Sequence, residues 1–187
     1  MQEELLIKRV LEGEPEQFAQ LVTEHQHRVF NTAMGLLHNH SDAEDITQDV
    51  FLEAFRSLAS FRNNSSFATW LYRITINKSL NLLKKKKRSW VVQSVDGLFQ
   101  GNQNPTDLLQ DNSPNAQENM EEEQQVEILQ ATLGRLPENQ RVAFTLSKYD
   151  ELSYAEIAEV MKLSVSAVES LIFRARKKII TTIEKIS

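Results

Sequence analysis

Residues 153–178 read SYAEIAEVMKLSVSAVESLIFRARKK, and this stretch decides the fold. Ser153 and Glu156 form a capping box, in which the Ser oxygen takes an orphan N–H and the Glu reaches back to the cap. The spacing predicts a helix over about 153–161. Ile157 and the small Ala158 lie inside it, where a second helix can cross closely. Lys162-Leu163-Ser164 makes a turn, with Lys162 in the left-handed region, Leu163 pointing inward and Ser164 as the next N-cap. A non-Gly residue there costs roughly 1 kcal/mol, which is tolerable. The second helix runs over about 164–186, anchored by Val168 and Leu171. Glu169, Ser170, Phe173, Arg174 and Lys177 face outward. This is the grammar of a helix-turn-helix, whose second helix enters the major groove N-terminal end first. Arg176, Lys177 and Lys178 are placed for phosphates. A helical hairpin with a solvated basic tail is the plain alternative.

Outward from this motif, charge divides the chain. Residues 54–95 carry nine bases and no acid, 89–134 eight acids and no base, and 135–187 nine bases and seven acids. The acidic stretch holds VDGLFQGNQNPTDLLQDNSPNAQEN, with little periodicity, and reads as a flexible linker. A loop of that length inside one compact domain is uncommon, so two domains are expected. The expectation is an all-α protein of two small helical domains. The first spans 1–90, a flexible acidic linker 91–118, and the second 119–187. In 187 residues there are five Gly, four Pro and no Cys, which argues against a sandwich or barrel and excludes disulfides and thiolate metal sites. No apolar run approaches the ~20 residues of a membrane span, and the acidic, amphipathic start is not a signal peptide. A cytoplasmic protein without membrane insertion is expected.

In the first domain, helices are expected over about 3–11, 15–37, 41–58 and 66–87. Ser41-Asp42-Ala43-Glu44 has the form of a capping box. On the third helix, Asp45, Gln48, Asp49 and Leu52 share a face opposite Ile46 and Val50. Carboxylates do not belong against phosphates, so this face suits protein docking. A solvated acidic face near a helix N-terminus explains the same residues. On the fourth, Trp70, Arg73, Asn77, Asn81 and Lys84 form one stripe, while Tyr72, Ile76, Leu80 and Leu83 lie on another side and can pack. An aromatic, two amides and two cations, followed by KKKKR, suit single-stranded or melted DNA. In the alternative, Trp70 and Phe67 belong to the core. After the linker, further helices are expected over about 120–133 and 137–147, the latter opened by Pro137.

Together, DAEDITQDVFLEAF (42–55), SFATWLYRITINKSLNLLKKKKR (66–88) and LPENQRVAFTLSKYDELSYAEIAEVMKLSVSAVESLIFRARKKI (136–179) resemble the extracytoplasmic-function (ECF) group of bacterial sigma-70-type sigma factors. The resemblance implies a sigma-2 and a sigma-4 domain that bind core RNA polymerase and direct it to promoter DNA, without enzymatic activity or cofactor. It implies that Asp45, Gln48, Asp49 and Leu52 dock on the polymerase. It places Phe61, Asn64, Phe67, Trp70, Arg73, Asn77, Asn81 and Lys84 at the −10 element, which this domain reads and melts. It places Ser166, Glu169, Ser170, Phe173, Arg174, Lys177 and Lys178 at the −35 element. Many relatives have a base where this chain has Glu169; a Glu can accept from cytosine N4, so the preferred −35 sequence is in question. An anti-sigma factor is a further partner that relatives often have.

Two rival readings differ in class. A stand-alone helix-turn-helix regulator explains the C-terminal motif but neither the acidic helix nor the Trp/Asn/Lys stripe. An enzyme would draw on His25, His27, His38 and His40. The members of each pair are two apart and share no helix face, no catalytic motif accompanies them, and surface histidines without metal are expected.

Overall fold

The structure is a computed structural model that describes residues 2–62, 64–98 and 129–184, with backbone only for 90–98. The helices are α1 (Gln2–Leu11), α2 (Phe18–Leu37), α3 (His40–Ser57), α4 (Phe67–Leu98), α5 (129–134), α6 (Glu138–Lys148), α7 (Tyr154–Met161) and α8 (Val165–Ile183). Short 3-10 turns at Pro15–Gln17 and Leu58–Ser60 complete the set, and no strand occurs among the described residues. Most of the expected connector, and the first part of the helix expected over 120–133, lie outside the described residues.

Local chemistry sets most boundaries, with informative differences. Helix α2 ends on His38, left-handed at φ 52, whose N–H donates to Met34. That leaves room for Asn39 alone before α3. Asn39 is extended, and its side-chain oxygen accepts from the Asp42 N–H at 2.9 Å, so it caps α3 in place of the expected Ser41. Helix α4 starts after Ser66, whose Oγ accepts from the Thr69 N–H at 3.1 Å. It runs to Leu98, beyond the expected end near Lys87, because no Gly or Pro interrupts the chain before Gly97. Pro137 stands at the N-cap of α6, one position earlier than expected.

The helix-turn-helix forms as its sequence requires. The Ser153–Glu156 capping box starts α7, Lys162 is left-handed at φ 54, and Ser164 caps α8. Leu163 departs from expectation. Its N–H bonds to the Ala158 carbonyl at 2.9 Å, closing the turn, but its side chain is 38% exposed on the rim. The interior there is already filled by Val160, Val168 and Ile172, and Ile172 rather than the half-buried Leu171 is the second anchor of α8.

Two apolar clusters organise the packing. One is built within α1–α4 from residues such as Leu21, Val29, Ala33, Val50, Leu58, Phe67 and Leu71. The other centres on α6–α8, with Val142, Leu146, Ile157, Val168 and Ile172. It also takes in Leu36 of α2 and Tyr72 and Ile76 of α4. The side of α4 expected to pack therefore packs against the C-terminal helices. Gly35 makes the contact close: a Cβ on it would lie 2.7 Å from Thr145 Cγ2, a distance no side chain tolerates.

Candidate nucleic-acid interface

Helix α3 presents Asp45, Gln48, Asp49 and Leu52 to solvent, Leu52 being 53% exposed, while Ile46 and Val50 point into the core. Other acids of α3 are already matched: Glu53 pairs with Lys78 at 2.8 Å and Asp42 with Lys86. Asp45 and Asp49 have no ion pair among the described residues, so their charge is unspent. Phe55, three residues beyond Leu52, is also exposed and enlarges the apolar spot. Its i+3 spacing from Leu52 was the sequence signal for it.

On α4, Asn77, Asn81 and Lys84 are exposed. Together with Lys85, Arg88 and Ser89, Asn81 and Lys84 line an open polar groove along the basic end. The head of the stripe behaves differently. Trp70 is half-buried, its ring 5.2 Å from that of Phe61 and 5.6 Å from that of Phe67. Phe67 is 1% exposed, so it supports the loop from the core and has no surface to offer a base; its expected place among the DNA contacts is corrected. Asn64 is exposed and Phe61 half-buried at the edge of this aromatic group. Arg73 is committed elsewhere. Its Nη2 donates to the Glu159 carbonyl at 2.7 Å and its Nε to the Val160 carbonyl at 3.2 Å. These carbonyls belong to the last turn of α7, where a cation is favoured by the unpaired carbonyls and the helix dipole. Lys84 pairs with Glu138 of α6 at 3.2 Å.

On α8, Ser166, Glu169, Ser170, Phe173, Arg174 and Lys177 form an exposed face, Phe173 being 66% exposed. Arg174 and Lys177 have no ion pair among the described residues. Lys178 is exposed but turned aside, its Nζ donating to the Arg135 carbonyl at 3.1 Å.

The histidines separate. His27 and His40 are exposed and His38 half-buried, but His25 is buried, edge-on to Phe67, contrary to the expectation of surface histidines. Its Nε2 lies 2.7 Å from Glu3 Oε1, which fastens α1 to α2. Glu3, Glu24 and His25 bring potential ligand atoms within 4.8 Å of one another, and the Glu3–His25 link already uses one of them. Sequence periodicity missed a further polar feature. Thr32 of α2, completely buried, meets Asp150, the residue in the loop after α6, at 2.9 and 3.0 Å. Burial pushes the Asp150 carboxyl up to about 7, against the opposing pull of Thr32 and Arg28. Burial, with the Asp150 charge nearby, pushes the Tyr72 phenol up to about 12.

This geometry can be set against known proteins. Residues 21–89 match the family described as Sigma-70 region 2, and residues 126–179 the family described as Sigma-70, region 4. The chain is 36% identical over 182 residues to the RNA polymerase sigma-H factor of Pseudomonas aeruginosa, covering 95% of this chain and 92% of that protein. It is 37% identical over 177 residues to the ECF RNA polymerase sigma-E factor of Escherichia coli, with the same coverage. Among solved structures it is similar to CnrH in complex with the cytosolic domain of CnrY. The TM-score is 0.67 and the identity 25%, over 98% of this chain and 97% of that one. The fold is also that of the sigma factor RpoE in complex with the anti-sigma factor NepR from Bartonella quintana, at TM-score 0.61 and 24% identity over 90% and 98% of the two chains. Both regions are matched in order, which a stand-alone helix-turn-helix regulator would not require. No helix among the described residues is long and apolar enough to cross a membrane. With region 2 and region 4 in order and relatives of this identity along nearly its whole length, the chain belongs to the ECF group of sigma-70-family RNA polymerase sigma factors, the transcription initiation factors that bind core polymerase and direct it to promoters.

Proposed function

We propose that this sigma factor divides its work among three surfaces. Asp45, Gln48, Asp49 and Leu52, with Phe55, form the face that docks on core polymerase. Asn64, Asn77, Asn81 and Lys84, edged by Phe61 and Trp70, receive the melted −10 strand, and Arg73 joins them when free. Ser166, Glu169, Ser170, Phe173, Arg174 and Lys177 face the −35 element in the major groove. The supporting observation is the placement of unpaired charge: acids stand unmatched on α3, while exposed amides and cations gather on α4 and α8.

The protein acts without catalysis of its own, in the cytoplasm where polymerase and promoter are. The domains divide at about 1–90 and 119–187. An anti-sigma factor is a further partner, as the relative bound to NepR suggests. The test is run-off transcription with core polymerase over a random promoter library, which reads function and both elements at once. Asp45→Arg and Asp49→Arg should retain native circular dichroism and lower core affinity about tenfold or more, since like charge replaces opposite at a docking face. Unaltered affinity would remove α3 from the docking surface.

A further inference from the structure

Phe61 and Trp70 edge the surface proposed for the −10 strand, and α1 stands behind both of the segments that carry them. On the Phe61 side the support is direct. Helix α1 packs against the turn Leu58–Ser60, and Leu6, Ile7 and Leu58 share one apolar cluster. The Phe61 N–H bonds back to the Leu58 carbonyl at 3.0 Å. On the Trp70 side the support runs through a polar link. Nε2 of His25 lies 2.7 Å from Glu3 Oε1. An ionised carboxylate only accepts, so Nε2 carries the hydrogen of this bond. Nδ1 is buried without a hydrogen-bond partner among the described residues. The torsion that turns a His ring is broad, so the plane of this ring is set by the Glu3 bond at one edge and by its packing.

That plane matters because of what leans on it. The His25 ring meets the Phe67 ring at 67°, with centroids 5.4 Å apart. Phe67, the first residue of α4, is the hub of the aromatic group. Phe61 stands edge-on to it at 5.7 Å, and Trp70 tilts against it at 5.6 Å. Phe61 and Trp70 are in turn 5.2 Å apart and 36° from parallel. Phe67 is enclosed, whereas Phe61 and Trp70 are half-buried and turn part of each ring outward. Edge-to-face pairs depend on tilt, because the ring edge is positive and the face negative. A turn of the His25 ring is therefore passed to Phe67, and from Phe67 to the two rings beside the −10 surface. Helix α1, where this chain of contacts starts, precedes residues 21–89 that match region 2.

We infer that Glu3 and His25 are positioning residues for −10 recognition: through Phe67 they set the tilt of Phe61 and Trp70, the rings that edge the −10 surface. This inference rests on the assignment of that surface above. An aromatic edge that is ordered beforehand binds more tightly, because no freedom is lost in ordering it when the strand arrives. Neither Glu3 nor His25 contacts DNA in this role; their effect reaches the strand through the ring group. A link that merely fastened α1 to α2 would instead affect every surface of the domain alike.

The test uses the full-length chain with Trp90→Phe, which leaves Trp70 as the remaining tryptophan. Glu3→Ala removes the acceptor at a partly exposed side chain, whereas Glu3→Gln keeps an oxygen for the His25 N–H. In the free chain, Trp70 emission should move to longer wavelength in Glu3→Ala and stay in place in Glu3→Gln, with native circular dichroism in both. Holoenzyme made with each variant is then offered two labelled probes from a promoter selected out of the random library. One is a single strand spanning its −10 element, the other a duplex spanning its −35 element. Glu3→Ala should bind the single strand about fivefold more weakly, the loss expected when one base stacks poorly, with −35 and core affinity unchanged. Glu3→Gln should restore wild-type affinity. His25→Phe, which keeps a ring but loses the bond, should behave like Glu3→Ala. Unchanged −10 affinity in Glu3→Ala, or equal losses for the −35 duplex and for core, would overturn the positioning role. If wild-type holoenzyme does not prefer the −10 strand to a scrambled one, the −10 assignment fails instead, whatever the Trp70 emission shows.

Discussion

Helices α4 and α8 are both basic at their C-terminal ends, and both carry DNA-reading surfaces in the reading proposed here, yet their side chains live in different circumstances. On α4 several of the groups have a prior commitment. Trp70 stacks in an aromatic cluster, Arg73 closes α7, and Lys78, Lys84 and Lys86 are paired with Glu53, Glu138 and Asp42. On α8 the outer face from Ser166 to Lys177 is exposed, and its cations have no ion pair among the described residues. The difference follows from position. Helix α4 passes through the middle of the molecule, touching α2, α3 and α7, whereas α8 turns only one face to its neighbours. A helix buried on several sides has few residues that affect function alone; a helix buried on one side can separate function from stability.

The sharpest contrast is between two aromatics. Trp70→Ala should cost about 3 kcal/mol of stability, because a packed aromatic leaves a cavity that its neighbours only partly fill. Phe173→Ala should change stability by less than about 0.5 kcal/mol, as exposed positions do, while impairing −35 binding. Denaturant unfolding of both variants measures this, and equal losses would erase the distinction between the helices.

Next in size is the effect of pH on the contact between Thr32 of α2 and Asp150 in the loop after α6. The Asp150 carboxyl is raised from an ordinary 3.8 to about 7 chiefly by burial. Arg28 of α2 pulls the other way, and the Asp150 charge in turn acts on the Tyr72 phenol of α4. A raised carboxyl favours the protonated, packed form. Its contribution is therefore fully present below about pH 4 and is lost as pH rises through 7. Scattering should show the protein loosening over that range, and Asp150→Asn should flatten the response. A wild-type profile that tightens with pH would reverse the sign and refute the role of Asp150.

Within α8, base reading and phosphate holding should separate. Arg174→Ala should flatten preference at one or two −35 positions, a loss of ~1–3 kcal/mol of discrimination if the contact is bidentate to guanine. Glu169→Arg should move preference from cytosine toward guanine, since a donor replaces an acceptor. Binding-site selection with holoenzyme reads both. An unchanged selected sequence for Glu169→Arg would mean that the groove-facing side of α8 is displaced by about one residue.

The smallest effect is expected at Lys177. Lys177→Ala should weaken all sequences alike and lower the salt slope by about 1, the signature of one lost phosphate contact. Lys178→Ala should do less, because its Nζ is held by the Arg135 carbonyl. A larger slope change for Lys178 would show that this bond yields to DNA.

The sequence by itself determined the helices, the turn and the outward faces, because these depend on neighbours three or four residues away. Ser153 with Glu156, Lys162 and Ser164 specify α7, its left-handed end and the start of α8 through backbone bonds within one turn. The alternation of Ile46 and Val50 with Asp45 and Asp49 assigns the faces of α3 in the same way. Tertiary structure decided what depends on distant segments. Nothing within a turn of Arg73 indicates that it will bond carbonyls 86 and 87 residues away, nor that Thr32 will meet Asp150 across 118. His25 reads as a surface residue by sequence, and Phe67 as either a DNA contact or a core residue; both are buried, edge-on to each other. Helical periodicity reports which side of a helix is apolar. Which neighbour covers that side, and which polar groups are used up in covering it, is settled only when the separate helices are brought together.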